Sequence, residues 1–379
     1  MSEIDRRTFL AATAAGALLP GAAPAQAPDL AGMIVVNALG GLVDMNLADA
    51  EITEEMRRTL SDRVVADARA SGLTAVNVTL GYVAGDDEPF EETVRTIGRW
   101  EARLRSRPGD LLKVLDAADI LRAKRENRIG IIYGFQNAAM LGNAEDVPGR
   151  VAIFDDFGVR VIQLTYNVAN ALGDGSMAPE NRGLTPLGRQ VVERLNAHRI
   201  MVDLSHSGER TCLDAARASR APISINHTGC RALTDLPRNK SDEELRLVAS
   251  RGGFVGIYFM PFLSPDSVAT AEDVVAHIDH AVNVCGEDHV GIGTDGGTTG
   301  IDDMDAFRAA MRRENAERRA AGIAAAGENP DTLPFVEDLS GPGQFRRLIA
   351  LLERRGYGSA RIEKIMGLNF IRFAREVWG

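Results

Sequence analysis

Eight short apolar runs recur along the chain, and a helical pattern follows each of them. Most runs are continuously apolar, which is typical of parallel strands that are buried on both faces. They are Met33–Asn37, Ala75–Leu80, Gly130–Phe135, Val159–Thr165, Ile200–Leu204, Ile223–Asn226, Phe254–Tyr258 and Val290–Gly293. Eight strand–helix units predict an α/β fold, a TIM-type (β/α)8 barrel. A doubly wound open sheet is the alternative, but no Gly-x-Gly-x-x-Gly sequence follows the first run.

The helical patterns have the spacing of amphipathic helices. Between the strands they cover Glu54–Ser71, Glu91–Arg125 (two helices), Val147–Phe157, Pro186–His198, Gly208–Ser219, Asp242–Arg251 and Ala271–Cys285. Three extra C-terminal helices are predicted over Met304–Ala320, Gly343–Arg354 and Ser359–Val377. No Pro- or Gly-rich linker separates them, so we expect one domain over residues 28–379.

The first 27 residues have the pattern of an export signal. Arg6 and Arg7 precede Phe-Leu, an Ala-rich apolar stretch follows, and Ala25-Gln26-Ala27 offers small residues for cleavage. This segment resembles a twin-arginine signal peptide, so a periplasmic or secreted protein is expected. The apolar stretch is shorter than the ~20 residues that span a bilayer, and no later segment has the pattern of a membrane span.

The charge and the cysteines narrow the choice further. A net charge of −10 over 379 residues argues against nucleic acid or an anionic membrane as the main partner. Three cysteines, Cys212, Cys230 and Cys285, have no metal-type spacing. Two readings stay open: one disulfide, with Cys212 and Cys230 as the favoured pair, or three free thiols.

Two histidines lie at the ends of neighbouring predicted strands. His206 closes the run Ile200–Leu204 after one intervening residue, and His227 directly follows Ile223–Asn226. Parallel strands of a barrel end on one rim, where such folds carry their chemistry. Neutral imidazole is a frequent metal ligand, and zinc accepts such ligands while keeping a position for water. A single histidine is more often a satisfied core residue, but two in equivalent positions favour a metal site.

Other strand ends add candidates for the same rim. Asp295 follows a Gly-rich strand end and could move a proton, and Gln136 is a weak candidate metal ligand. Arg238 could hold a carboxylate, with an exposed surface charge as the alternative. Tyr166 and Asn167 could line a substrate pocket, or merely pack. The remaining histidines, His198, His277, His280 and His289, fall on helices or before strands and are interpreted as structural or surface groups.

A serine nucleophile is disfavoured. The chain has no Gly-x-Ser-x-Gly elbow. Ser205 and Ser207 flank His206, but adjacent residues of an extended strand point to opposite faces.

An ordered set of motifs runs from residue 158 to the C-terminus. The motifs are Gly158-Val-Arg-Val-Ile-Gln-Leu-Thr-Tyr166, Gly183-Leu-Thr-Pro-Leu-Gly188, Val202-Asp-Leu-Ser-His206, Ala221-Pro-Ile-Ser-Ile-Asn-His227, Arg238-Asn239, Gly291-Ile-Gly-Thr-Asp295-Gly and Gly367-Leu-Asn369-Phe. In this order they resemble the membrane (renal-type) dipeptidases, peptidase family M19. The resemblance implies a barrel of the metal-dependent hydrolase kind with a two-zinc dipeptidase site, and it suggests a homodimer.

The resemblance also assigns roles. His206 and His227 fall on the family's ligands to one metal, Asp295 on its catalytic aspartate, and Arg238 on an arginine that contacts the substrate carboxylate. The nucleophile would be metal-bound water, and Asp295 would shuttle its proton to the leaving amine.

The chain departs from the family where the other metal binds. The family's His-x-Asp at the first strand is absent: Leu39 and Gly41 stand in that segment. Gln136 replaces the metal-bridging glutamate, and Tyr166 replaces a substrate-side histidine. A neutral amide is a weaker ligand than a carboxylate, and a second cation would lack anionic partners. We therefore expect one zinc ion rather than two, held by His206 and His227, with Gln136 or Asp295 and water.

Three functions remain open from the sequence. The first is a metal-dependent hydrolase of dipeptides or related small amides. The second is a periplasmic peptide-tailoring enzyme of another reaction type, and the third is an inactive ligand-binding homologue. The fold alone does not separate them, because function depends on the site.

Overall fold

A barrel of parallel strands forms the centre of the molecule. The computed structural model describes residues 30, 32–48, 51–320 and 326–379, and the predicted export signal over residues 1–27 lies outside them. The strands are β1 Val36–Gly40, β2 Ala75–Thr79, β3 Leu111–Lys113, β4 Ile129–Phe135, β5 Val159–Gln163, β6 Met201–Asp203, β7 Ser224–Thr228, β8 Phe254–Ile257 and β9 Val290–Ile292. The eight barrel strands pair in the order β1-β2-β4-β5-β6-β7-β8-β9, and all pairs are parallel. The predicted (β/α)8 fold is confirmed.

Backbone bonds join the last strand to the first at their carboxyl ends. The amide of Asp295 donates to the carbonyl of Leu39 at 2.9 Å, and the amide of Gly41 donates to the carbonyl of Gly296 at 3.1 Å. Asn37 adds a side-chain bond at 2.8 Å to Thr294 Oγ1. These contacts place the segments after β9 and β1 side by side.

The structure corrects two strand predictions. β1 begins and ends three residues later than the predicted Met33–Asn37. The polar Asn37 does not end the strand, because its side chain is buried in the barrel, where it bonds to Thr294. β3 was not predicted, because this three-residue strand pairs only with β4 and is too short to give a period.

The helices surround the barrel as expected. They are α1 Glu54–Arg57, α2 Asp62–Ala70, α3 Pro89–Ser106, α4 Ala117–Arg125, α5 Val147–Asp156, α6 Pro186–Ala197, α7 Glu209–Ala218, α8 Asp242–Ser250, α9 Ala271–Cys285, α10 Met304–Ala320, α11 Gln344–Arg354, α12 Ser359–Glu363 and α13 Asn369–Trp378. The single helix predicted over Glu54–Ser71 is wrong. Ser61 starts a new helix there, since its hydroxyl accepts a bond from the amide of Val64 at 3.2 Å. The last predicted helix is interrupted by a π-helical turn over Lys364–Leu368.

The final helix closes the amino-terminal end of the barrel. Phe370 and Phe373 of α13 pack against Phe254 of β8, with ring centroids 5.4 and 6.0 Å apart. Aromatic packing fills this end with apolar surface. The polar strand ends are therefore left to the opposite, carboxyl-terminal rim.

The three cysteines are free thiols. Cys212 and Cys230 are buried and Cys285 is half-buried. Cys212 lies on α7, whereas the Cys230 thiol lies 3.5 Å from the carbonyl of His277 on α9. The disulfide alternative is wrong because these side chains pack against different helices. In the described part of the chain, no helix is both long and apolar enough to cross a bilayer.

Candidate functional site

A cavity of about 250 Å³ opens at the carboxyl-terminal rim of the barrel. Its wall brings together five of the residues that the sequence singled out: Tyr166, Asn167, His206, Arg238 and Asp295. They come from the segments after β5, β6, β7 and β9. The predicted convergence of strand ends is therefore found, and it follows from the parallel order of the barrel.

The two histidines lie next to each other. Their ring centroids are 4.9 Å apart and the rings are inclined by 56°. His206 borders the cavity, whereas His227 is fully buried within β7 behind it. Of the pair, His206 alone lines the cavity, and His227 lies next to it.

A hydrogen bond to Asn167 fixes the tautomer of His206. Its Nδ1 lies 2.7 Å from Asn167 Oδ1, an acceptor, so Nδ1 carries the proton and Nε2 keeps a lone pair. Tyr166 stacks on the same ring at 4.2 Å between centroids, with 27° between the planes. Metal-binding histidines are commonly oriented in this way by a partner on the other ring nitrogen.

Three ring nitrogens of the two histidines have no hydrogen-bond partner in the described part of the chain, and both rings are neutral. His206 Nε2 and both ring nitrogens of His227 are buried and have no hydrogen-bond partner within the described residues. Burial lowers the pKa of both histidines well below the usual value, and the charge of Arg238 acts in the same direction. Buried polar atoms are nearly always paired, so these three nitrogens indicate a ligand.

One carboxylate oxygen ties the ends of β6 and β7 together. Asp203 Oδ1 accepts from the amide of Ser205 at 3.0 Å, from its hydroxyl at 2.5 Å and from the amide of Asn226 at 3.0 Å. Ser205 Oγ in turn accepts from the amide of His227 at 3.1 Å. This network sets the spacing of the two histidines, and the hydroxyl of Ser205 is engaged in it rather than free as a nucleophile.

Two buried cations hold the loop that carries His206. Arg238 Nη1 donates to the carbonyl of Ser205 at 2.6 Å, and Lys240 Nζ donates to the carbonyl of Ser207. Lys240 is neutralised by Glu244, 3.1 Å away. Arg238 Nη2, in contrast, is buried and has no hydrogen-bond partner among the described residues. The alternative of an exposed surface charge is therefore wrong, because only 8% of Arg238 is accessible.

Asp295 is poised to accept a proton near neutral pH. Burial raises the pKa of its carboxyl group to about 6, although the nearby charge of Arg238 opposes the rise. Its backbone has a left-handed φ of 57°, and its amide is bonded to Leu39. A non-glycine residue pays a conformational cost in this region, and such residues are frequent at functional sites.

The opposite side of the rim offers little to a metal ion. Leu39 is buried and apolar, and Gly41 has no side chain. Gln136 is not part of the cavity wall, and its Nε2 donates to Thr79 Oγ1 at 2.7 Å. Its role as a metal ligand stays a prediction.

Within residues 30, 32–48, 51–320 and 326–379, no group of three or more His, Cys, Asp or Glu side chains is placed to hold a metal ion. Asp295 is thus not gathered with the two histidines into one ligand set. The two imidazoles are the candidate metal ligands that remain, one fewer than the three protein ligands of a typical catalytic zinc site.

Sequence reasoning missed the outer wall of the cavity. Met177 follows β5, Met260 follows β8, Met311 lies on α10, and Leu333 lies in a later loop. These residues have no shared motif and no chemistry of their own, so nothing local marks them. They meet only because the barrel brings distant loops onto one rim.

Comparison with known families gives one match over most of the chain. The model of the membrane dipeptidase family, peptidase family M19, matches residues 43–312. Dipeptidase tcpJ of Claviceps purpurea is 32% identical over 266 residues, which is 69% of this chain and 54% of that protein. The chain thus spans about half the length of this relative.

Solved structures are similar over nearly the whole chain. An amidohydrolase from Pseudomonas aeruginosa is 32% identical, with a TM-score of 0.74, covering 92% of this chain and 98% of that one. A metallo peptidase from Rhodobacter sphaeroides is 20% identical, with a TM-score of 0.71, covering 91% and 99%. The second likeness concerns the fold alone.

Proposed function

The chain belongs to the membrane dipeptidase family, peptidase family M19, and we propose that it hydrolyses dipeptides or related small amides with the help of one divalent metal ion. One observation carries the proposal. Two neutral imidazoles with unpartnered nitrogens lie side by side, one lining a cavity that also contains Arg238 and Asp295 and the other buried next to it.

His206 and His227 would hold the ion, which we propose to be zinc. Both are neutral and buried, which is the state that a ligand imidazole requires. A bound zinc ion lowers the pKa of a water ligand toward neutrality and polarises a carbonyl group. Asn167 keeps the Nδ1 proton of His206 in place, so that Nε2 stays available.

Arg238 would bind the carboxylate of the substrate. Its Nη1 is anchored on Ser205, which leaves the unpartnered Nη2 for a ligand. An anionic group at this position would give the buried Nη2 a charged hydrogen-bond partner, which favours its binding. This gives the dipeptide one fixed end.

Asp295 would act as the proton carrier. With a pKa of about 6, its carboxyl group is mostly ionised at neutral pH and can take a proton from the attacking water. The same group can then return the proton to the nitrogen of the leaving amine. Tyr166, stacked on His206, would form the wall beside the reacting carbonyl.

A second ion has no comparable support. Leu39 and Gly41 provide no side-chain ligands, and the amide of Gln136 is bonded to Thr79. A second divalent charge would be desolvated there without an anionic partner. We therefore propose one ion per chain.

The location and assembly of the protein are also proposals. The twin-arginine pattern at Arg6-Arg7 supports export to the periplasm. The family resemblance supports a homodimer.

The test uses the full chain, expressed with its N-terminal segment and purified from the periplasm. We expect about one zinc per chain by elemental analysis, and hydrolysis of Ala-Ala that stops with a chelator and returns with Zn²⁺. The surface variant His280→Ala is the control, since this histidine is bonded to Asp242 at 2.7 Å and lies on α9.

Each result separates the alternatives. Two zinc ions per chain contradict the single-ion site. Metal binding without hydrolysis of any dipeptide favours another reaction on the same scaffold. Dipeptide binding without either metal or turnover identifies an inactive ligand-binding homologue.

A further inference from the structure

Two cavities lie back to back at the carboxyl-terminal rim. The first is the site cavity of about 250 Å³ described above. The second, here the outer cavity, has about 410 Å³ and is lined by α10 and by residues 267–270 and 330–338. Pro261, Met311 and Leu333 belong to the walls of both. These three apolar residues form a partition between the two cavities.

The partition is held in place by polar groups behind it. Asn315, the buried residue of α10, donates through Nδ2 to the carbonyls of Asn329, Pro330 and Thr332 at 3.3, 3.3 and 2.9 Å. Arg312 is paired with Asp331 at 2.6 Å. These bonds tie α10 to the segment that carries Leu333, so the two apolar side chains keep a fixed relation.

The polar groups near the partition are already engaged with one another. Arg318 Nε lies 3.2 Å from Glu328 Oε1, and Arg308 is paired with Glu337. What the outer wall offers to a ligand is therefore mainly apolar. Its apolar part consists of Met177, Leu236, Met260, Phe262, Met311 and Leu333, and the same cavity lining also includes the polar Glu314 and Thr332.

The floor and the outer wall of the site cavity therefore suit different parts of a substrate. Arg238 and Asp295 on the floor suit the backbone and carboxylate, whereas the outer wall suits an apolar side chain. A volume of about 250 Å³ is small beside the roughly 300–1,000 Å³ of pockets for drug-sized ligands. A dipeptide with small or medium side chains fits this description better than one with a large aromatic side chain.

We propose that Met311 and Leu333 determine specificity, by limiting the apolar side chain of the substrate to the size that the site cavity admits. The inference rests on the proposed dipeptidase function. The family match ends at residue 312, so Leu333 and its loop lie outside the region that the family model covers. Methionine is unbranched and adaptable, which makes Met311 suited to accept several small apolar groups.

The first experiment removes the partition. In Met311→Ala and Leu333→Ala the two cavities should join. We expect kcat/KM for Ala-Phe or Phe-Ala, relative to Ala-Ala, to rise about tenfold or more, since each methylene in an apolar pocket changes discrimination about 10–200-fold. Met311→Phe should shift the ratio in the opposite direction.

A matched control comes from the same helix. Met304 begins α10 and lines neither cavity, so Met304→Ala should leave the ratio unchanged. Circular dichroism of each variant tests the fold. Met311 is only half-buried, so its truncation leaves the core intact.

The second experiment does not depend on turnover. Calorimetric titration of Asp295→Asn, with and without Met311→Ala, measures the binding of Ala-Ala, Ala-Phe and Phe-Ala. If Asp295→Asn binds Ala-Ala more tightly than the larger dipeptides, and Met311→Ala removes this preference, the result supports the role of the partition. This holds even if the parent protein hydrolyses none of these dipeptides and the proposed function fails. An unchanged ratio in folded Met311→Ala and Leu333→Ala, in both kinetics and binding, overturns it.

Discussion

The two sides of the carboxyl-terminal rim of the barrel differ in whether the polar side chains next to the site have hydrogen-bond partners. On the side of β6 and β7, His206, His227 and Arg238 have buried nitrogens without partners among the described residues. On the side of β1 and β4, Leu39 is apolar and the amide of Gln136 is bonded to Thr79. Because buried polar atoms are almost always paired, the unpartnered nitrogens on the first side indicate a ligand, whereas Leu39 and Gln136 on the second side present no such nitrogen.

The second side has a structural role that needs no metal-binding side chains. The carbonyl of Leu39 accepts from the amide of Asp295, and the amide of Gly41 donates to Gly296. These bonds use backbone atoms, so they do not depend on the side chain at either position. Barrel closure and metal binding are therefore separable at the end of β1.

The largest effect should come from the proton carrier. Asp295→Asn keeps the size of the side chain but removes the base, so kcat should fall about 10²–10⁴-fold, the usual contribution of general acid–base catalysis. In the parent protein, activity should fall as the pH drops through about 6, where the carboxylate becomes protonated. Steady-state kinetics from pH 5 to 8 measure both, and the exposed variant Asp302→Asn is the control. Full activity of Asp295→Asn would contradict the assigned role.

Removal of either histidine tests directly whether the side of β6 and β7 binds the metal ion. His206→Ala or His227→Ala leaves one imidazole, so zinc affinity should fall by more than the roughly 10–100-fold that loss of a supporting hydrogen bond costs. Competition with a chromophoric chelator measures the affinity. If both variants bind zinc as tightly as the parent protein does, the ion lies elsewhere and the side of β6 and β7 is not the metal site.

The support of His206 should matter less than the ligand itself. Asn167→Ala removes the acceptor that fixes the Nδ1 proton, so zinc affinity should fall about 10–100-fold. Asn167→Asp keeps an acceptor at this position and should retain most of the affinity. Equal losses in the two variants would show that Asn167 acts by packing rather than by its hydrogen bond.

A carboxylate on the second side should have a smaller effect. If Gln136 reaches the ion, Gln136→Glu should tighten zinc about tenfold, or about 1.4 kcal/mol, while the stoichiometry stays at one. Gln190→Glu on α6 is the matched control, since its amide bonds to the exposed carbonyl of Ala144. A second ion in Gln136→Glu would refute the view that this side lacks ligands.

His277, whose two ring nitrogens both have hydrogen-bond partners, should affect stability rather than activity. His277 Nδ1 accepts from the amide of Cys230 at 2.8 Å, and its Nε2 lies 3.0 Å from the carbonyl of Leu263. Burial lowers the pKa of His277 to about 4, so the unfolded chain binds more protons between pH 4 and 6.5. The free energy of unfolding should therefore decrease by about 3 kcal/mol as the pH falls through this window.

Urea unfolding at several pH values measures this loss. His277→Gln should flatten the pH dependence and leave dipeptide hydrolysis unchanged. An equally steep dependence in that variant would assign the loss to other groups.

The amino-acid sequence alone was enough to predict the barrel, the order of its strands and the pair of histidines at neighbouring strand ends. Apolar periodicity is a local property, and eight buried runs with helices between them have few other solutions. The same local reading missed β3 and the break between α1 and α2, because a three-residue strand and a serine cap leave the helical pattern nearly intact. It also identified Asp295 and Arg238 without showing what surrounds them.

Which polar atoms have hydrogen-bond partners became known from the folded structure alone. His277 and His227 are both buried histidines, yet one has two partners and the other has none among the described residues. Partners and cavity walls come from residues far apart in the chain, such as Met177, Met311 and Leu333, which meet only when the barrel closes. Hydrogen-bond satisfaction and cavity size are properties of that closed arrangement, and no local pattern encodes them.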